Sequence, residues 1–157
     1  MGAIQDVLRK FGDETVTIIQ SNLASTGTNA SGATSKSVVS TQKDNRVTVT
    51  GRPFFDAVET GRGPTRNNTP SNPTLQQQIL KWIQTGKPGI TENIESASYA
   101  IAKFIHKNGT KLFRDGGRDD IFTPAISEQR IDKLVGEVAE VTQQGTVDEL
   151  NKIIISR

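Results

Sequence analysis

Glu59-Thr60-Gly61-Arg62-Gly63-Pro64-Thr65-Arg66 divides the chain into two differently patterned parts. Upstream lie one helical apolar stripe and a pair of strand-like runs; downstream the apolar spacing is helical almost throughout. From Gly61 to Asn72 no residue is apolar apart from Pro64 and Pro70. A stretch of that length without periodicity is usually a functional loop or a disordered one.

Working back from the loop, Phe54-Phe55 and Val58 form an apolar run after Pro53 that fits either a further strand or a short helix. Before it, Val38-Val39, and then Val47 and Val49 alternating with Thr48 and Thr50, flank Lys43-Asp44-Asn45. β-Branched residues suit a pleated, half-buried surface and Asp-Asn suits the turn, so the pattern predicts a β-hairpin. Thr28 to Ser35 holds no large apolar residue and is expected to be a mobile loop. At the start, Ile4, Val7, Leu8, Phe11, Ile18, Ile19 and Leu23 recur at three- and four-residue spacing. They predict a helix from about Ala3 to Ala24, weakened at Gly12 and stopped by Ser25-Thr26-Gly27.

Working forward, Asn72-Pro73 reads as a helix start, with Asn as the cap and Pro in the first turn. Leu75, Ile79, Trp82 and Ile83 mark a short helix closed by Gly86-Lys87-Pro88-Gly89. Thr91 is placed to cap the next helix, whose stripe is Ile94, Ala97, Ile101, Phe104 and Ile105, with Asn108-Gly109 as its exit. Leu112-Phe113 and Ile121-Phe122 bracket Asp115-Gly116-Gly117, a turn joining two short strands or folding a loop back. After the cap-and-proline pair Thr123-Pro124, Ile126, Ile131, Leu134, Val135 and Val138 predict a helix to about Thr142. Thr146-x-x-Glu149 then forms a capping box for a last helix through Val147, Leu150, Ile153 and Ile154. The expected fold is α+β: a long N-terminal helix, a small antiparallel sheet containing a β-hairpin, and about three to four further helices. It forms one domain over residues 1–157, with polar loops at about 25–35 and 61–72.

The 157 residues are enough for a core without staples. No cysteine is present, which excludes disulfides and thiolate chemistry. No apolar run approaches the ~20 residues of a membrane span, and the N-terminus lacks the continuous apolar stretch of a signal peptide. A soluble protein outside the membrane is expected. The net charge of +2, from 19 basic and 17 acidic residues, is too balanced to imply nucleic-acid binding by itself. Its distribution is uneven, however. Arg46, Arg52, Arg62 and Arg66 lie mid-chain, and Lys103, Lys107, Lys111, Arg114 and Arg118 form a second basic group. From Ser127 onward six acids face four bases. Opposite local charges suit head-to-tail contact between copies.

Candidate chemistry is sparse. His106, the only histidine, has no nucleophile-bearing turn to serve and sits where it can interact with a helix C-terminus. Asp115 to Asp120 gathers three acids, but it lacks the calcium-loop order and carries Arg118, with Arg114 adjacent, so a turn closed by salt bridges is expected and no metal. Gly61-x-Gly63 lacks the third glycine of a dinucleotide loop, and no phosphate-loop Gly-Lys-Ser/Thr is present; no cofactor is expected. Lys103 and Lys107 are four apart on one helix face and could meet a phosphate backbone or an acidic partner. Trp82 and Tyr99 sit near apolar stripes, where core or interface packing accounts for them.

Three stretches in fixed order carry a resemblance. They are Phe54-Phe55-Asp56-Ala57-Val58-Glu59-Thr60-Gly61-Arg62-Gly63-Pro64, then Leu75-Gln76-Gln77-Gln78-Ile79-Leu80-Lys81-Trp82-Ile83, then Ser98-Tyr99-Ala100-Ile101-Ala102-Lys103-Phe104-Ile105-His106-Lys107-Asn108-Gly109-Thr110. From about Ser35 to Ile126 the chain resembles small head–tail connector, or tail-completion, proteins of tailed bacteriophages; the polar stretch Arg66 to Asn72 is longer than that pattern. The resemblance implies a non-enzymatic virion protein, made in the host bacterial cytoplasm, whose copies form a ring in the neck or upper tail. The ring would join the portal and head side to the tail around the DNA exit axis. It further implies that the 61–72 loop meets a neighbouring copy or an adjacent portal, connector or tail protein, with Glu59, Arg62 and Arg66 as interface residues. Lys103, Lys107, Lys111, Arg114 and Arg118 would face DNA in the channel or an acidic partner. The alternative expectation is a nucleic-acid-binding module using that same 103–118 basic group.

Overall fold

The computed structural model describes residues 2–28, 32–53, 55–66, 71–86 and 88–155, with the backbone alone at 153 and 155. In chain order the elements are α1 (Ala3–Ser25), α2 (Ala33–Ser37), β1 (Val39–Lys43), β2 (Arg46–Thr50), α3 (Ala57–Thr60), α4 (Leu75–Gln84), α5 (Ile94–Asn108), α6 (Lys111–Arg114), a 3-10 turn (Thr123–Ile126) and α7 (Glu128–Ile155). The fold is α+β: a long N-terminal helix, a two-stranded antiparallel sheet and three further helices of 10, 15 and 28 residues beside the shorter helical segments.

α1 carries the body of the molecule. The hairpin lies along it in the register Val39↔Thr50 to Lys43↔Arg46, with Asp44 at φ 52° in the tight turn. Ser40, Gln42, Val47 and Val49 form its half-buried face, and the alternate residues are exposed. Gly12 is the point of closest approach: a Cβ there would stand 2.6 Å from Val47 Cγ2 and 3.1 Å from Ser40 Cβ. The glycine that weakens the helix pattern is thus what lets the sheet seat on it. Ser40 Oγ donates to Asp13 Oδ1 at 2.6 Å beside that contact.

Further along α1, Ile19 and Leu23 enter the main core with Val38, Ile121 and Ala125, while Val16, Val49, Phe55, Val58 and Phe122 pack around them. Complete burial of Leu23 and Ile121 contributes about 1.5–3 kcal/mol each. Phe55 and Phe122 meet with ring centroids 4.4 Å apart. Asn22 Nδ2 donates to the Ile121 carbonyl at 2.9 Å, which ties the end of α1 to the segment before the 3-10 turn.

α7 runs back along α1. Arg130 near its start clasps the middle of α1: Nη2 donates to Thr15 Oγ1 at 3.3 Å, Nη1 lies 3.6 Å from Glu14 Oε2, and the guanidinium stacks 5.0 Å from the Phe11 ring. The same side chain holds the preceding turn by donating from Nε to the Ala125 carbonyl at 3.0 Å. Val141 and Gly145 border a cleft with Ile4 and Gln5, so the two helices are antiparallel. α4 and α5 form a separate helical pair with its own small core of Leu75, Ile83, Ala102 and Ser98.

Several expectations are corrected. Residues 33–37 are helical where a loop through Ser35 was expected; 29–31 lie outside the described residues. Of the two readings left open for the run after Pro53, the short helix is the one found: Val58 lies in α3 and Phe55 in the turn before it, Phe54 lying outside the described residues. The cap of α4 is Thr74, not Asn72: Thr74 Oγ1 accepts from Gln77 N at 3.3 Å while Gln77 Oε1 accepts from Thr74 N at 2.8 Å. Asn72-Pro73 is a cis peptide outside the helix. α5 starts after Asn93, at φ 49°, and Thr91 does not cap it. For the Asp115-Gly116-Gly117 turn the second of the two readings is found: Leu112-Phe113 lies in α6, and the turn folds the chain back without joining strands. The two helices expected after Pro124 are one, because Thr146 is interior to α7 and donates to the Thr142 carbonyl at 3.0 Å rather than opening a capping box. Of the 61–72 loop, residues 67–70 lie outside the described residues.

Candidate functional site

The dividing loop is held at both ends by the segment 106–123. Its first anchor is Glu59. Being in α3, it is exposed to the chain turning back after α6, and its Oε1 accepts from the backbone N–H of Ile121 at 2.7 Å, Phe122 at 2.5 Å and Thr123 at 3.4 Å. Those donors precede and open the 3-10 turn, where backbone N–H groups have no partner of their own. A carboxylate supplies both the acceptors and the favourable charge. Its carbonyl accepts from Arg118 N at 2.9 Å, and Gly117 lies so close that a Cβ there would be 2.9 Å from that oxygen.

The second anchor pairs the loop with the end of α5. Thr110 N donates to the Arg62 carbonyl at 2.8 Å, and Arg62 N donates to Thr110 Oγ1 at 3.0 Å. Thr65 N donates to the His106 carbonyl at 2.9 Å. Gly61 and Gly109 have φ of 73° and 77°, and neither has room for a side chain: a Cβ would stand 2.3 Å from Phe113 N at the first and 2.8 Å from the Arg62 carbonyl oxygen at the second. Both glycines are required by close backbone approach in a region that L side chains avoid. The expectation of no phosphate cradle acquires a positive counterpart, since the glycines hold one backbone segment against another.

Side chains complete this seam. Arg62 Nη2 donates to Thr65 Oγ1 at 3.2 Å, and Thr65 Oγ1 lies 2.6 Å from His106 Nδ1. His106 is therefore a tether between α5 and the loop. Its hydroxyl neighbour and the exposed imidazole are not accompanied by a carboxylate in the hydrogen bonds of the described residues. Arg66, one residue beyond the seam, is exposed. Of the three expected interface residues, Glu59 and Arg62 have intramolecular work, and Arg66 projects from the anchored end.

The basic group is split in the same way. Lys111 pairs with Asp115. Arg114 stacks 5.0 Å from the Phe104 ring, a cation–π contact worth ~0.5–1 kcal/mol at an exposed site. Arg118 grips Asp120 with two parallel bonds, Nε to Oδ1 at 2.5 Å and Nη2 to Oδ2 at 2.7 Å. Accepting these bonds, and then the nearby positive charge, holds the Asp120 carboxyl below its ordinary value; the bonds to Asp120 hold Arg118 above its own, with the charges of Asp120 and Glu59 adding to the effect against some desolvation. The contribution of the depressed carboxyl is present above its unfolded pKa and is lost as pH falls through its folded one. Lys103 and Lys107 remain exposed on α5, without an ion pair among the described residues. Of the three acids of the 115–120 turn, Asp115 is engaged by Lys111 and Asp120 by Arg118, and among the described residues no cluster of three potential metal ligands occurs.

Two anchors escaped the sequence reading. Thr110 follows the helix-ending Gly109, which is a cap signal, and its Oγ1 accepts from Phe113 N at 3.3 Å. Arg130 carried no signal, because its partners lie on α1 more than a hundred residues away. Among the described residues no helix is long and apolar enough to cross a membrane. Set against protein-family models, curated proteins and solved structures, the chain matches none of them.

Proposed function

We propose that the protein is a structural, non-enzymatic virion component of a tailed bacteriophage, a subunit of a ring in the neck or upper tail. Supporting the reading, beside the sequence resemblance, is one observation: apart from Val39, Phe113, Ile126, Ile131 and Val135, the large apolar residues left exposed fall on two different helical elements of the molecule. Tyr99 and Phe104 lie on α5, with Trp82 on its partner α4; Val147, Leu150 and Ile154 lie on the far half of α7. Isolated exposed apolar residues are ordinary, but runs of them along helices belong to protein contacts. A ring repeats one contact between two unlike faces until it closes, and a subunit with two separate surfaces is suited to that.

Electron microscopy of the purified protein, alone and with the portal-side protein of the same phage, tests the reading. Rings, or occupancy of the neck in particles, are expected. Monomers that never join a particle would refute it.

A second reading, duplex binding through α5, is favoured by the exposure of Lys103 and Lys107 without acidic partners. Its signature is affinity that falls steeply with salt and is lost in a Lys103→Glu, Lys107→Glu variant.

A further inference from the structure

We propose that the loop-capped end of α5 binds the phosphate backbone of duplex nucleic acid and takes up a proton at His106 as it does so. This rests on the duplex reading above; it adds Arg62 and His106 to the two lysines and makes the binding depend on pH. Lys103 lies three residues before His106 and four before Lys107, so it stands one turn below both, and all three are exposed. The seam brings a fourth cation to them. Arg62 Nη2 and His106 Nδ1 meet the same hydroxyl, Thr65 Oγ1, at 3.2 and 2.6 Å.

A helix C-terminus ordinarily repels an anion through its free carbonyls. Here the Phe104 carbonyl accepts from Asn108 Nδ2 at 3.1 Å, that of Ile105 from Gly109 N at 2.8 Å and that of His106 from Thr65 N at 2.9 Å, which weakens the repulsion. A guanidinium can only donate, so Thr65 Oγ1 accepts from Arg62 and turns its own proton to Nδ1. The neutral imidazole then carries its N–H on Nε2, and a further proton sets a second positive charge one hydroxyl away from Arg62. Around it stand Lys103 and Lys107 on α5 and Arg66 on the loop, while on α6 Lys111 is paired with Asp115 and on α3 Glu59 holds the backbone of 121–123. Among the described residues no carboxylate bonds to Arg62, Lys103, His106 or Lys107. An external anion is what offsets that charge, so anion binding and protonation of His106 favour each other. Four cations over roughly 6 Å of helix length suit a strand with a phosphate at about every 3.4 Å of its axis.

Anisotropy titrations of a labelled duplex, at about pH 6 and about pH 8 where histidine changes charge and over a range of salt, test it. The proteins are wild type, His106→Asn, His106→Lys and the Lys103→Glu, Lys107→Glu variant, each checked for an unchanged melting curve. Wild type is expected to bind about fivefold or more tightly at the lower pH, with a salt slope steeper by about 0.9, one added phosphate contact. His106→Asn keeps an amide for Thr65 without a charge and should bind at both pH values as wild type does at the higher one. His106→Lys, charged throughout, should bind at both as wild type does at the lower one. A flat wild-type profile, or pH dependence retained in either His106 variant, overturns the proton coupling. Polyglutamate that displaces the labelled duplex as well as unlabelled duplex does overturns the assignment to phosphate. The duplex reading fails separately: no salt-dependent binding at either pH, or full affinity in the double-lysine variant, sinks both, whereas binding that needs the lysines but ignores pH keeps that reading and sinks this one.

Discussion

Glu59 and the two seam glycines set the local geometry of the dividing loop. The Glu59 carboxylate gathers backbone N–H groups of Ile121, Phe122 and Thr123 that would otherwise face one another with no acceptor. Replacing it with alanine, Glu59→Ala, removes a charged acceptor and leaves donors at a partly buried site. The expected loss is about 2–3 kcal/mol, seen as a melting temperature lower by roughly 4–12 °C in thermal denaturation. None of this could be read locally, because donors and acceptor are more than sixty residues apart. Gly61 was visible as half of the Gly61-x-Gly63 pair, but the pattern alone could not say whether its open backbone approached a phosphate or another backbone. Gly109, by contrast, was legible as a helix exit, since that role is decided by its immediate neighbours.

Among the elements, helix propensity and packing pull in opposite directions at different glycines. Gly12 and Gly145 both sit inside helices and both depress propensity by ~1 kcal/mol relative to alanine. At Gly12 a side chain collides with the stiff Val47 and with Ser40, so Gly12→Val should cost about 1–3 kcal/mol in a chemical denaturation measurement despite the better helix former. At Gly145 nothing lies within 4 Å, so Gly145→Ala should stabilise by about 0.5–1 kcal/mol in the same measurement. The hairpin and the first three long helical stripes were legible, as each follows a local period. The single α7 was not. The Thr146 capping box is locally correct, yet helix continues through it, and the threonine hydroxyl turns back to the Thr142 carbonyl.

For the whole molecule, two packed assemblies meet at the loop: α1 with the hairpin, the 3-10 turn and α7, and the α4–α5 pair. The loop seam fixes where Arg66 emerges, one residue past the Thr65 bond to His106. Arg62 is bonded within the chain while Arg66 is exposed, so the two should behave differently. Arg66→Glu is expected to leave the melting curve within about 0.5 kcal/mol of wild type and, on the proposed ring reading, to abolish ring formation viewed by electron microscopy. An unaffected ring would remove Arg66 from the interface.

The fold class, the hairpin with its Asp44 turn, the places of α1, α4 and α5, and the absence of cysteine chemistry are all legible in the order of residues. Each of these is written in spacings of a few residues or in composition. Folding in three dimensions makes Gly12 a docking surface, sets Glu59 as the cap of a distant turn and stitches the loop from Glu59 to Arg66 to α5. It also separated Lys103 and Lys107, left exposed, from Lys111, Arg114 and Arg118, which are held within the molecule. The reason is physical: a periodic pattern reports which face of an element is apolar, but which distant backbone or side chain meets that face depends on how the chain closes on itself.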